Sequence, residues 1–171
     1  MAANDAQQER HTLTVLVDNE AGVLARVIGL FSGRGYNIES LTVAEVDPKA
    51  RTSRITIVTS GTPHVIEQIE AQLNRVVPVH RVTNWRSEKG GIEREMALIK
   101  VSGTGERRVE ALRIADAFRA RAVDTTHSSF VFEITGVPSK IDSFIDLMRP
   151  LGLTDISRTG VAAITRGPEA M

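Results

Sequence analysis

The chain reads as an α+β protein built from two domains of βαββαβ order, and three observations predict it. Strand-period and helix-period apolar patterns follow one another in the same order twice. The turn Ser60-Gly61-Thr62-Pro63 returns as Thr135-Gly136-Val137-Pro138, 75 residues later. Between the copies lies the polar, glycine-paired stretch Ser87-Glu88-Lys89-Gly90-Gly91, with the composition of a flexible joint.

The first copy has six elements. Leu13, Val15 and Val17 alternate and predict a strand over 10–18. Val23, Leu24, Val27, Ile28 and Phe31 recur at helical spacing over 21–34, and Gly33 and Gly35 supply stop signals. Strands are expected over 36–47 and 52–60, joined by the turn Val46-Asp47-Pro48-Lys49-Ala50. Thr62-Pro63 opens a helix over 63–75 with proline at its favoured early position, and Ile66, Ile69 and Leu73 form its inner stripe. A strand over 77–85 closes the unit. Two helices on a four-stranded antiparallel sheet make a ferredoxin-like sandwich.

The second copy begins with Met96-Ala97-Leu98-Ile99-Lys100-Val101. A helix carrying Val109, Leu112, Ala115 and Phe118 follows, then short strands near 122–128 and 130–135. Ile141, Phe144 and Met148 answer to Ile66, Ile69 and Leu73. The expected division is a polar tail at 1–10, a first domain at 11–86, a linker at 87–92 and a second ferredoxin-like domain at 93–171.

Two stretches carry the functional signal. Asp18-Asn19-Glu20-Ala21-Gly22-Val23-Leu24 runs from the first strand into the first helix, with Gly22 where the helix begins. A helix N-terminus presents unpaired N–H groups and partial positive charge, and glycine lets a small carboxylate approach them. The plainer alternative is that Asp18 or Asn19 caps the helix and Gly22 turns the chain. The second stretch is Gly35-Tyr36-Asn37-Ile38-Glu39-Ser40-Leu41-Thr42. It places Asn37 at the mouth of the next strand, where its amide can face a helix N-terminus of its own or a neighbouring subunit.

Together the two stretches resemble the ACT domain, a small amino-acid-sensing module. The run from Val27 through Asn37-Ile38-Glu39-Ser40-Leu41-Thr42-Val43 is similar to regulatory (small) subunits of acetohydroxyacid synthase, also called acetolactate synthase. The resemblance extends from about His11 to Arg166. It implies a subunit without catalytic residues that activates a large catalytic subunit and confers feedback inhibition, usually by valine, in branched-chain amino-acid synthesis. Thiamine diphosphate, magnesium and FAD would belong to that partner, which joins pyruvate to pyruvate or 2-oxobutyrate. The effector site it implies comprises Asn19, Glu20, Ala21, Gly22, Val23 and Leu24, closed by Asn37 and Ile38 from the other subunit of a homodimer. Ala21 stands where relatives carry serine or proline, which leaves only a backbone role there. A two-ACT-domain sensor serving another enzyme or a transcription factor is the alternative.

Composition agrees with a protein that neither catalyses nor binds nucleic acid. Acids and bases number 21 each, nine of each up to Arg86 and twelve of each after it, so neither half is basic. The βαββαβ order is shared with RNA-binding modules, which stack bases on strand aromatics. Here Arg54-Ile55-Thr56-Ile57-Val58-Thr59 has none, and aromatics are 4% of the chain. The chain has no cysteine, and His11, His64, His80 and His127 are not at metal-binding spacings. His11 and His80 are expected as surface or edge residues of strands. Trp85 is expected to pack in the core or between domains. The second copy has Val101-Ser102-Gly103-Thr104-Gly105-Glu106-Arg107-Arg108 in place of the ligand turn, so a docking or dimerising role is expected of it. No apolar run marks a signal or membrane span, which makes a cytoplasmic protein the expectation.

Overall fold

The computed structural model describes residues 8–85, 91–168 and 170. Most of the expected tail at 1–10, the last residue of the expected first domain, and residues 87–90 of the expected linker at 87–92 lie outside them. The chain divides into two compact units, Met1–Ile92 with Ala163–Met171, and Glu93–Ala162. Residues 163–168 thus group with the first unit, although the repeat places them in the second copy.

In the first unit the order is β1 (Glu9–Asp18), α1 (Val23–Arg34), β2 (Ser40–Asp47), β3 (Thr52–Gly61), α2 (Pro63–Leu73) and β4 (Val79–Asn84). The antiparallel sheet runs β2-β3-β1-β4, so the two central strands are the most apolar and β2 is an edge. Leu13, Val15 and Val17 of β1 and Ile55 and Ile57 of β3 point to one face, and each is fully buried. Val23, Val27 and Phe31 of α1 and Ile66, Ile69 and Leu73 of α2 close over that face as one core. The stripes on both helices are those the sequence predicts. Thr62 caps α2 through its hydroxyl, which accepts from the Val65 N–H at 3.4 Å.

The other face of this sheet holds Thr12, Thr14, Thr56 and Thr83, all buried. Trp85 folds back onto it, and its indole N–H donates to the Thr14 hydroxyl at 2.6 Å. His11 departs from the expectation of a surface or edge residue. It lies on β1, a central strand, and is only 7% exposed. Its Nδ1 meets Asn84 Oδ1 at 3.1 Å, and the Asn84 amide donates onward to Glu70 at 2.5 Å, which ties β1 to β4 and α2.

The second unit repeats the pattern. It comprises β5 (Ile92–Ser102), α3 (Gly105–Ala117), β6 (Arg121–Thr125), β7 (Ser129–Gly136), α4 (Pro138–Met148), a 3-10 turn (Arg149–Leu151) and β8 (Leu153–Arg158). A three-residue strand, β9 (Ala162–Ile164), follows. The sheet order β6-β7-β5-β8 matches that of the first unit strand for strand, and β9 pairs with β5 as a fifth strand. Ile141, Phe144 and Met148 of α4 are buried as expected. On α3 half of the expected stripe holds: Ala115 is buried and Phe118 packs against the core, but Val109 and Leu112 are 51% and 43% exposed, and Ala111 faces the core instead. Small alanines let α3 lie close to Phe130 and Phe132, whose rings fill the space that larger helix residues would have taken.

Candidate functional site

The predicted ligand turn is an uncapped helix start. Gly22 is the N-cap of α1 in the left-handed conformation, φ +85°, and no side chain caps the helix. The first turn of α1 carries no acidic residue. Neither Asp18 nor Asn19 serves as a cap, because each side chain is committed elsewhere. Asp18 Oδ1 accepts from His80 Nε2 at 2.6 Å, and Asn19 Nδ2 donates to Glu45 Oε1 at 3.0 Å. The turn closes through the Val23 N–H to the Glu20 carbonyl at 3.4 Å and the Arg26 N–H to the Gly22 carbonyl at 3.1 Å. What remains at the tip is exposed Ala21 and Gly22, with orphan donors at the positive end of a helix dipole. A Cβ built on Gly22 meets nothing within 4 Å, so the space in front of the turn is open.

The turn is anchored on both flanks. The Asn19 N–H donates to the Arg51 carbonyl at 2.6 Å, and the Asp18 N–H to the Pro78 carbonyl at 3.2 Å. One guanidinium nitrogen of Arg26 donates both to Glu20 Oε1 at 2.8 Å and to the Val77 carbonyl at 3.0 Å. None of these supports, Arg26, Glu45, Arg51 and His80, is visible as a site residue in the sequence. Each is brought to the turn by strand pairing or helix packing.

Asn37 and Ile38 sit elsewhere. The Thr59 hydroxyl donates to the Asn37 carbonyl at 2.6 Å, and the Glu39 N–H donates to the Val58 carbonyl at 2.8 Å. Glu39 then anchors the strand entry by accepting from Arg10 Nε at 2.9 Å and from the Ser60 hydroxyl. The Ser60 hydrogen bond, assisted by Arg10, holds the Glu39 carboxyl below its usual range against the opposing effect of burial. Asn37 is exposed, while Ile38 and Leu24 are half-buried and lean on the core.

These anchors separate the two halves of the expected site. Thr59 pairs with His11 and Thr52 with Asp18, so Asn37 and the Gly22 turn flank opposite ends of β1. Seven residue steps of strand separate those pairs, about 23 Å at 3.3 Å per residue. The sequence left open whether Asn37 faces the helix start of its own subunit, and the register rules that out. A groove of about 610 Å³ between α1 and α2, lined by Arg26, Gly29, Leu30, Gly33, Gln72 and Arg75 among others, includes none of the expected effector residues.

The helix starts of the second unit also lack a side-chain cap but differ from the Gly22 turn: α3 carries Glu106 in its first turn, so its dipole has a carboxylate of its own, and α4 opens on Pro138, which has no N–H to offer. Among the described residues no group of three or more His, Cys, Asp or Glu is placed to hold a metal ion, and no helix is long and apolar enough to cross a membrane.

Comparison with known proteins follows the two units. Residues 13–81 match the model of the AHAS small subunit-like ACT domain, and residues 94–167 match that of the small subunit of acetolactate synthase. A probable acetolactate synthase small subunit from Archaeoglobus fulgidus is 45% identical over 158 residues, 92% of this chain and 98% of the relative. The chain belongs to the acetolactate synthase small-subunit family. The isozyme 3 small subunit of Escherichia coli is 42% identical across 95% of this chain and 99% of its own length. The crystal structure of the small subunit from Thermotoga maritima superposes with a TM-score of 0.82 at 37% identity, covering 94% of this chain and 99% of that one. The sandwich architecture and the ACT identity of the first domain expected from the sequence agree with these matches.

Proposed function

We propose that this chain is the regulatory subunit of an acetolactate synthase: it activates a separate catalytic subunit and makes it sensitive to a branched-chain amino acid, with valine as the effector. The observation that carries this reading is the uncapped, acid-free start of α1 at left-handed Gly22. An α-amino acid supplies what that turn lacks. Its carboxylate takes the N–H groups of Ala21 and Gly22 at the positive end of the α1 dipole, an interaction worth about 0.3–1 kcal/mol when exposed and up to about 2 kcal/mol when partly buried. Carbonyl groups of the Asn19–Gly22 turn take its ammonium. The Asn37 amide and the Ile38 side chain of a second copy close the site, and Leu24 adds aliphatic wall.

Because the register holds the two halves about 23 Å apart, only pairing of two copies completes a site. Edge strand β2 is suited to such pairing, with Val43 and Val46 43% and 48% exposed on it. Thiamine diphosphate, magnesium and FAD belong to the catalytic partner on this reading, and the chain contributes binding and coupling. The second domain, whose α3 start carries Glu106 and whose α4 start carries Pro138, serves the contact with that partner. One methylene in an apolar wall separates ligands by only about 1–3 kcal/mol, so discrimination among valine, leucine and isoleucine is modest.

Reconstitution with the catalytic subunit tests the proposal. The chain should raise acetolactate formation, and valine should reverse the rise while binding the isolated chain in calorimetry. A catalytic subunit whose rate is the same with and without this chain would refute it.

A further inference from the structure

Among the described residues, the tip of the turn that would bind the effector, Glu20 to Gly22, is fastened to the α2–β4 connection by the side chain of Arg26. Arg26 Nη1 has two hydrogens, and both are used: one on Glu20 Oε1 at 2.8 Å, the other on the Val77 carbonyl at 3.0 Å. Glu20 lies inside the turn, next to Ala21 and Gly22, whereas Val77 lies between α2 and β4. Other links to this region start outside the tip. Asp18, which bonds His80 and the Pro78 carbonyl, is the last residue of β1 and is held by its pairing with Thr52. A shift of the tip therefore leaves the Asp18 links in place and acts on Glu20 and, through it, on Arg26.

We propose that Arg26 is a positioning residue that couples the effector turn to residues 76–80, so that occupancy of the turn is transmitted to the α2–β4 connection. The inference rests on the proposed function for the identity of the effector, not for the link itself. The connection is well placed to report a change. Val79 N–H bonds the Val76 carbonyl at 2.8 Å, and Val77 presents a side chain 76% exposed at the surface. When the effector draws the turn's N–H groups towards its carboxylate, the Glu20 carboxylate moves with them. The Arg26 guanidinium follows one acceptor or strains the other.

Hydrogen exchange on the full-length chain decides this in two arms. Without ligand, Arg26→Gln and Glu20→Gln should each speed exchange of the amides of Val76, Val77, Val79 and His80 about two- to fivefold, the range expected for losing a half-exposed ion pair. The double variant should be no faster than the single ones, and Arg26→Lys should recover part of the protection. Unchanged exchange, or additive effects in the double variant, overturns the link. With valine, the wild type should slow exchange at both 18–22 and 76–80, and Arg26→Gln at 18–22 alone. Protection of the turn with no change at 76–80 in the wild type overturns the coupling. No protection anywhere, with no heat of binding, refutes valine as effector, and the ligand-free arm still decides the role of Arg26. Circular dichroism checks that the exposed substitutions leave the fold intact.

Discussion

Gly22→Asp separates the proposed site from the fold that carries it. The backbone at Gly22 has φ +85°, which an L-residue adopts at a cost of about 1–2 kcal/mol, least for Asn and Asp. No atom lies within 4 Å of an added Cβ, so no steric cost is added. An aspartate at the helix start recovers about 0.3–1 kcal/mol from the dipole. The net loss is about 1 kcal/mol, small beside the ~5–15 kcal/mol stability of a typical folded protein. Against the ligand the same carboxylate acts at full strength. Two negative charges 4 Å apart repel by about 1 kcal/mol in water and about 4 kcal/mol at an effective dielectric of 20. Effector affinity should therefore fall between about fivefold and a thousandfold, towards the larger value if pairing of copies closes the site. Gly22→Asn is the control, since it has the same shape and backbone tolerance without charge, and it should retain most of the affinity. The assay is acetolactate formation by the reconstituted complex against valine concentration, with melting curves on each variant. An inhibition curve unchanged in Gly22→Asp, or equally lost in Asn and Asp variants, would show that the turn does not hold a carboxylate.

Other expectations address the opposite half of the site and the fold. Asn37→Ala should weaken effector binding by about 1–3 kcal/mol, the value of a hydrogen bond to a charged group, with no change in melting temperature because Asn37 is exposed; calorimetry and a melt together check it. Glu39 is held below its ordinary pKa chiefly by the Ser60 hydroxyl, so its stabilisation is present above the unfolded carboxylate value near ~4.3 and is lost as pH falls through the lower folded value. Glu39→Gln should accordingly melt lower than wild type at pH 7, with the gap closing in acid. In the second unit Arg158 donates to both oxygens of Glu95, at 2.6 and 2.7 Å, and the Glu95 side chain is 4% exposed. Arg158→Ala strands that carboxylate and should cost about 3–5 kcal/mol in denaturant titration, whereas Asp142→Ala, at the solvent side of the same arginine, should cost under about 1 kcal/mol.

The fold was legible because its signals are local. Alternation in β1, the 3.6-residue stripes of α1, α2 and α4, and the Thr62-Pro63 helix start are each read within one element, and the repeat confirms the order. The failures needed information from across the sheet. His11 looks like an edge residue until β1 is known to run between β3 and β4, where Asn84 supplies a partner from 73 residues away. On α3, Ala115 and Phe118 were placed correctly, but Val109 and Leu112 are larger than Ala111, and size favoured them for a core that Phe130 and Phe132 already fill. The same division applies to the site. Gly22 and Asn37 are visible as a glycine at a helix start and an asparagine at a strand mouth. Arg26, Glu45, Arg51 and His80 reach the turn only through tertiary contacts, and nothing in their spacing announces it.

Register also bears on why an amino acid bound here would be felt by a partner at all. A pocket complete within one chain could fill without consequence for any other. On the proposed reading each chain carries one half of a site at each end of β1, and pairing by a two-fold axis that joins the Gly22 turn of one copy to Asn37 of the other forms two equivalent sites at once. Ligand binding and association are then linked by mass action. Effector at a hundred times its Kd adds about 2.7 kcal/mol per site to the paired state over the separate chains. The coupling is reciprocal, so whatever arrangement of the pair the catalytic subunit favours must alter effector affinity by the same factor that the effector alters affinity for the catalytic subunit. On the proposed reading, sensing would follow from placing the two halves too far apart for one chain to use.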